Sequence, residues 1–86
     1  MKKSWYISRY DHFRTLLVEA RKGADITQTE LAKKLRAPQS YVSKYERGER
    51  RLDVVEFLAI AESIGADPHA LIDKVRAGTV KPPRGA

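Results

Sequence analysis

The sequence of 86 residues contains no cysteine, which excludes disulfide bonds, thiolate nucleophiles and cysteine-ligated zinc sites. It also has no apolar run approaching the ~18 residues that a membrane-spanning helix needs. Apolar and polar residues do not alternate with period two over a useful length, which disfavours a β-sheet. We therefore expect a soluble, cytoplasmic protein that has no membrane partner and no sheet.

Residue patterns for catalysis and for cofactor binding are missing as well. His12 and His69 fall in different predicted helices, and neither belongs to a metal-ligand motif. The sequence contains no phosphate-binding GxxxxGK motif, no catalytic triad and no convincing pair of carboxylates. We expect no enzyme activity, no catalytic residue, no cofactor and no metal site.

Charge is distributed unevenly along this basic chain, whose formal net charge is +6. Residues 1–52 contain 13 Lys and Arg against six Asp and Glu, whereas residues 53–77 contain two against five. This asymmetry indicates one face directed at a polyanion and another face turned away from it. Nucleic acid is a candidate partner, although charge alone is weak support.

Capping residues and apolar spacing predict five short helices and an all-α fold. The predicted ranges are 9–22, 28–35, 39–47, 54–64 and 68–77. Ser8 with Asp11 is the predicted cap of the first helix, and Gly23 is its predicted left-handed end. Thr27 and Asp53 are predicted to cap the second and fourth helices; Asp67 is the predicted cap of the fifth, with proline following it.

Composition divides the chain into three predicted segments. Residues 1–8 form an N-terminal arm, residues 9–77 a single domain and residues 78–86 a disordered basic tail. Trp5, Tyr6 and Ile7 in the arm pack either on the domain itself or on a partner. In the fourth helix we expect one inward face, with two further residues as candidates for a dimer contact or for core packing. The inward face comprises Val54, Phe57, Leu58, Ala61 and Ile64, and the two candidates are Val55 and Ile60.

The second and third predicted helices are joined by a three-residue break, as in a helix-turn-helix unit. In such a unit the second helix enters the major groove of DNA. Val42 and Tyr45 are expected to face inward. The remaining surface of this helix carries polar and basic side chains without an acid: Gln39, Ser40, Ser43, Lys44 and Arg47.

The stretch TQTELAKKLRAPQSYVSKYERGERR, residues 27–51, resembles the phage-repressor-type (lambdoid repressor and Cro-like, XRE) helix-turn-helix regulators. The resemblance extends over roughly residues 10–72 and rests on the ordered string Thr27-Gln28, Leu31-Ala32, Ser40, Val42-Ser43 and Glu46-Arg47-Gly48. It implies a five-helix lambda-repressor-like domain that binds double-stranded DNA as a homodimeric transcription regulator.

The resemblance also implies roles for individual residues. Base contacts fall to Gln39, Ser40, Lys44 and Ser43, with a phosphate contact as the alternative for Lys44 and a groove-wall contact as the alternative for Ser43. DNA backbone contacts fall to Gln28, Tyr41, Arg47, Arg50 and Arg51, and Gln28 also braces Gln39. Arg21 and Glu46 match a buried ion pair that links the first helix to the end of the third.

Two residues depart from the family pattern, and both lie in the turn. Arg36 stands where glycine is common in a left-handed conformation, at a cost of about 1–2 kcal/mol unless the turn differs. Pro38 replaces the usual Ser or Thr cap. Both departures affect the start of the recognition helix.

Three other functions fit the same sequence. The chain could be the antitoxin of a toxin–antitoxin pair, with a toxin as its protein partner, or a restriction–modification controller protein. It could instead be a protein-interaction module that keeps the fold without binding DNA. The salt dependence of duplex binding separates this last alternative from the others.

Overall fold

The computed structural model describes residues 4–78, which form five helices and no strand. The helices are α1 (Ser4–Gly23), α2 (Gln28–Leu35), α3 (Gln39–Glu46), α4 (Val54–Ser63) and α5 (Pro68–Arg76). Within these described residues the fold is all-α, as predicted. None of these helices is long and apolar enough to cross a membrane. Apart from Gly78, the predicted tail lies outside the described residues.

Side-chain caps begin three of the helices at the predicted residues. The Thr27 hydroxyl accepts from the Glu30 backbone N–H, and the Glu30 carboxylate accepts in return from the Thr27 N–H. Asp53 and Glu56 form the same reciprocal pair at α4, and Asp67 caps α5 ahead of Pro68. Each cap satisfies backbone donors that the first helical turn leaves unpaired.

The predicted start of the first helix is wrong, because α1 begins at Ser4 and not at Arg9. Ser8 is thus an interior residue and not a cap. Aromatic contacts along α1 favour the extra turn: the Tyr6 and Tyr10 rings are stacked with centroids 6.4 Å apart. Tyr10 in turn contacts Phe13, with centroids 5.6 Å apart. The segment predicted as an arm therefore continues the helix from Ser4 onwards.

The predicted left-handed end at Gly23 is also wrong. The Ala24 N–H still donates to the Ala20 carbonyl at 3.1 Å, so helical bonding continues past Gly23. The left-handed residue comes later, at Asp25, whose φ is 59°. Gly48 and Gly65, which follow α3 and α4, do have positive φ values.

The core lies where α1, α2, α3 and α4 meet, with α5 closing one side. Its fully buried side chains come from all four of these helices. The largest are Leu17, Leu31, Val42, Tyr45 and Ile60.

The predicted inward face of α4 is partly wrong. Val54 is 65% exposed and Leu58 is 39% exposed, whereas Ile60 is completely buried. Because α4 packs against both α2 and α5, its buried stripe is Phe57, Ile60, Ala61 and Ile64. Of the two dimer candidates, only Val55 lies on the surface.

Candidate nucleic-acid interface

The turn between α2 and α3 keeps a left-handed residue although that residue is not glycine. Arg36 has φ 54° and ψ 43°, and the Ala37 N–H donates to the Ala32 carbonyl at 3.0 Å. Pro38 follows in an extended conformation, and α3 begins at Gln39 without a side-chain cap. The turn thus accommodates both departures from the family pattern, and Arg36 bears the strain of about 1–2 kcal/mol.

The two faces of α3 differ sharply in exposure. Val42 and Tyr45 are buried against the rest of the domain. Polar and basic side chains cover the opposite face: Ser43 is half-buried, and Gln39, Ser40, Lys44 and Arg47 are exposed. The structure thus brings together on one face the residues for which the sequence implies base contacts.

A buried ion pair anchors the C-terminal end of α3 to α1. Arg21 Nε lies 2.6 Å from Glu46 Oε2, and Arg21 Nη2 lies 3.0 Å from Glu46 Oε1. Arg21 Nη1 also donates to the Ile26 carbonyl at 2.7 Å. The hydrogen bond with Glu46 raises the pKa of Arg21, against the opposing effect of burial. The anchor is therefore a fork-shaped contact with two hydrogen bonds, of the kind that fixes orientation.

A second arginine of α1, which the sequence analysis missed, supports the same helix end. Arg14 Nη1 donates to the backbone carbonyl of Glu46, where a helix leaves carbonyls unpaired. Its guanidinium also lies beside Gly48, where an added Cβ would come within 3.2 Å of Arg14 Nε. Helical spacing was the one sequence signal that pointed to this role of Arg14, since Arg14 lies about two turns before Arg21 on the same side of α1.

A chain of side-chain hydrogen bonds connects this anchor to the exposed start of α3. Gln28 Nε2 donates to Glu46 Oε1 at 2.7 Å. Gln39 Nε2 donates to Gln28 Oε1 at 2.7 Å. Gln28 thus contacts Gln39, as the family resemblance implies, and it links Gln39 to the buried carboxylate as well.

The basic side chains that follow α3 are exposed but already make contacts within the chain. Arg47 Nε donates to Glu49 Oε2 at 2.7 Å, and this contact raises the pKa of Arg47 and lowers that of Glu49. Arg50 Nη1 lies 2.8 Å from Glu56 Oε2. Because these pairs are near the surface, a phosphate can compete with the carboxylates for both arginines.

Arg51 is held by the first turns of α1. Its guanidinium carbon lies 4.9 Å from the Tyr6 ring centroid and 4.8 Å from the Tyr10 centroid. The Tyr10 hydroxyl also accepts from the Leu52 backbone N–H at 3.0 Å. The helical extension at Ser4–Ser8 therefore helps to position the loop that carries the basic residues.

The hydroxyl of Tyr41 is directed at α4. It donates to Glu56 Oε2 at 3.0 Å, and the ring lies 4.7 Å from the guanidinium carbon of Arg50. Burial, reinforced by the hydrogen bond to Glu56, raises the pKa of Tyr41 to about 12. Tyr41 therefore stays neutral at physiological pH and can approach DNA only with its ring edge or after releasing Glu56.

Over residues 4–78, no group of three His, Cys, Asp or Glu side chains is placed to hold a metal ion. His12 Nε2 lies 3.2 Å from the Lys74 carbonyl, at the contact between α1 and α5.

A short helix packed on a second one across a three-residue turn, with a polar face left open, defines a helix-turn-helix domain. Residues 17–71 match the family model described as helix-turn-helix. A solved structure of an XRE-family like protein from Pseudomonas syringae pv. tomato str. DC3000 is also similar. It is 53% identical, with a TM-score of 0.83, and the match covers 86% of this chain and 90% of that one. No curated protein matches the chain significantly.

The chain belongs to the XRE-type helix-turn-helix family. Its five helices form the lambda-repressor-like arrangement of that family, and it is a DNA-binding helix-turn-helix regulator.

Proposed function

We propose that the protein is a sequence-specific transcription regulator that places α3 in the major groove of double-stranded DNA. The observation that carries this proposal is the exposed face of α3, which is polar and basic and contains no acid. The major groove is about 12 Å wide, close to the diameter of one α-helix with its side chains.

Within this proposal, residues near the start and middle of α3 read bases. Gln39 pairs with adenine, since a glutamine amide both accepts a hydrogen bond from N6 and donates one to N7. Lys44 meets a guanine acceptor or a phosphate. Ser40 and Ser43 complete the base-reading set, and the residues that contact the DNA backbone are Gln28, Tyr41, Arg47, Arg50 and Arg51.

The protein acts as a homodimer in this proposal, because one recognition helix covers few base pairs. A two-fold dimer binds half-sites about 34–36 Å apart. Exposed apolar side chains on α4 and α5 support a dimer face there: Val54, Val55, Leu58 and Ile72. The acidic character of residues 53–77 supports it further, since this region would face away from the phosphates.

Sedimentation equilibrium tests the dimer. Val55, which is 70% exposed, tolerates glutamate in a folded monomer, so Val55→Glu should dissociate the dimer without unfolding the chain. Ala24→Glu, at an exposed position between α1 and α2, is the control. A monomeric wild-type protein, or a Val55→Glu variant that still dimerises, would contradict this interface.

Duplex binding measured at several salt concentrations tests the DNA contact itself. The logarithm of the binding constant should fall linearly with log[salt], by about 0.9 per displaced phosphate counterion. Lys44→Ala and Lys74→Ala form a matched pair, because both lysines are exposed but only Lys44 lies on α3. We expect Lys44→Ala to weaken duplex binding and Lys74→Ala to leave it unchanged.

Salt-independent binding, or equal effects of the two lysine substitutions, would favour the protein-interaction module. The antitoxin and controller-protein alternatives share the same DNA contact, so this assay does not separate them from the proposed regulator.

A further inference from the structure

A cleft with a volume of about 490 Å³ lies between the first turns of α1, the start of α4 and the second half of α5. This volume falls within the range of sites that hold small molecules in proteins. Aromatic side chains form much of its wall: Trp5, Tyr6, Tyr10, Phe13 and Phe57. Because aromatic side chains stack on flat rings, this aromatic cleft favours a ligand with an aromatic ring system.

Two guanidinium groups also line the aromatic cleft. Arg9 is half-buried, and its Nη2 lies 3.4 Å from the backbone carbonyl of Arg76, whose side chain supplies the second guanidinium. Within residues 4–78, neither of these two groups forms an ion pair. Both positive charges can therefore stabilise an anionic ligand.

The charge around the aromatic cleft is positive overall. Asp53 lines the cleft too, but its carboxylate is engaged as the cap of α4, where it accepts from the Glu56 backbone N–H at 2.8 Å. The guanidinium of Arg51 lies over the Tyr6 and Tyr10 rings and adds a third positive charge beside the wall. A carboxylate is the matching anion, because a guanidinium binds it through two parallel hydrogen bonds.

A second copy of the chain fits the aromatic cleft less well than a small molecule does. In a two-fold dimer, residues near the axis meet their own counterparts. A second copy seated on the cleft would bring both copies of Arg9 and Arg76 together, and like charges across an interface repel. Val54 and Ile72 line the cleft and also belong to the proposed dimer face, so the cleft borders that face.

We propose that the aromatic cleft is a binding site for a small aromatic carboxylate. The ring system of the ligand lies against the aromatic wall, and its carboxylate pairs with Arg9 and Arg76. Binding at this site does not require DNA, so the site and the proposed function can fail separately. Tyr6 and Tyr10 also hold Arg51, which places the site beside the loop that carries the basic residues.

NMR titration of the full chain with 2-naphthoate tests the site. The indole N–H of Trp5 reports on the cleft directly, because Trp5 is the only tryptophan in the sequence. We expect 2-naphthoate to shift this resonance with a Kd of about 1 mM or below. At matched concentrations, 2-naphthamide, which is neutral and has almost the same shape, should bind about tenfold more weakly. The saturated analogue decahydro-2-naphthoate should bind about threefold more weakly, because it cannot stack.

Arg76→Glu and Lys22→Glu form a matched pair of variants. Each reverses an exposed positive charge in the last turn of a helix, but only Arg76 lines the cleft. Arg76→Glu should weaken 2-naphthoate binding by about tenfold or more. It should leave the weak binding of 2-naphthamide unchanged, which shows that the cleft is still folded. Lys22→Glu should change neither.

Three results would overturn the site: equal binding of 2-naphthoate and 2-naphthamide, equal effects of the two charge reversals, or no shift of the Trp5 indole. Equal binding of the saturated analogue would overturn the aromatic preference.

Titration of Val55→Glu tests a second copy as the occupant, since Val55 does not line the cleft. Wild type and Val55→Glu should bind 2-naphthoate alike. Binding by Val55→Glu alone would show that a second copy fills the cleft in wild type, and it would overturn the proposal. Naphthoate binding by a protein that ignores every duplex would overturn only the proposed function, and duplex binding without naphthoate binding would overturn only this site.

Discussion

Removing Arg21 should strongly destabilise the fold, because its partner would be left charged in the interior. The Arg21 and Glu46 side chains are 9% and 6% exposed, and Arg21 supplies two of the hydrogen bonds that Glu46 accepts. In Arg21→Leu the carboxylate keeps only the Gln28 amide and the surrounding low-dielectric core. Breaking a buried pair in this way costs about 3–5 kcal/mol.

That cost is a large share of the total stability of a small domain, which is about 5–15 kcal/mol. For a chain of this size it corresponds to a fall in Tm of at least about 12 °C. Urea denaturation followed by circular dichroism measures the free energy of unfolding, and thermal denaturation measures the Tm.

The double variant Arg21→Leu/Glu46→Leu distinguishes loss of the ion pair from loss of packing. Replacing both partners by apolar side chains removes the unpaired charge, so stability should return to within about 2 kcal/mol of wild type. A loss below about 1 kcal/mol in Arg21→Leu, or a double variant no more stable than that single variant, would refute the reasoning.

Three further perturbations have defined outcomes. Arg36→Gly should raise the free energy of unfolding in urea by about 0.5–1 kcal/mol, because relief of left-handed strain exceeds the entropy that glycine adds to the unfolded chain; a loss of stability would contradict this. Arg50→Ala should weaken binding to every duplex alike and reduce the salt slope by about one phosphate, and an altered sequence preference would count against a phosphate contact. Tyr41 should lose its proton near pH 12 in an ultraviolet titration, against about 10 in the unfolded chain. Because the folded state holds this proton more tightly, the stabilising effect is complete below about pH 10 and is lost as pH rises towards 12; Tyr41→Phe should reduce that loss and leave the part that comes from Tyr45, whose pKa is also raised by burial.

Local signals in the sequence were sufficient for most helix boundaries. Each capping pair joins residues that lie close together in the chain, so the sequence alone identifies it. The two pairs are Thr27 with Glu30 and Asp53 with Glu56. The start of α1 escaped prediction because a plausible cap at Ser8 competed with contacts between aromatic rings. The stacking of the Tyr6 ring on the Tyr10 ring favours a helix that extends to Ser4. The strength of such stacking is not evident from the spacing of apolar residues.

The buried face of α4 could not be read from the sequence for a different reason. Apolar residues occupy most positions between Val54 and Ile64, so several stripes satisfy helical spacing equally well. Only the packing of α2 and α5 against this helix selects the stripe that contains Ile60 and exposes Leu58.

The candidate site was partly accessible from the sequence. Resemblance to the family implied the partners Arg21 and Glu46. Helical spacing placed Arg14 on the same side of α1 as Arg21, but it did not indicate that Arg14 binds the Glu46 carbonyl. The contact of Arg51 with Tyr6 joins residues far apart in the chain, and it depends on the extra helical turn of α1.

The central claim is that α3 reads bases, and one pair of affinities tests it most directly. The measurement is fluorescence anisotropy of wild type and Gln39→Ala on the duplex that wild type selects and on a scrambled duplex of equal length. Gln39→Ala should lose about 1–3 kcal/mol of binding free energy on the selected duplex and none on the scrambled one. Equal losses on both duplexes, or a wild type that does not distinguish them, would contradict the claim.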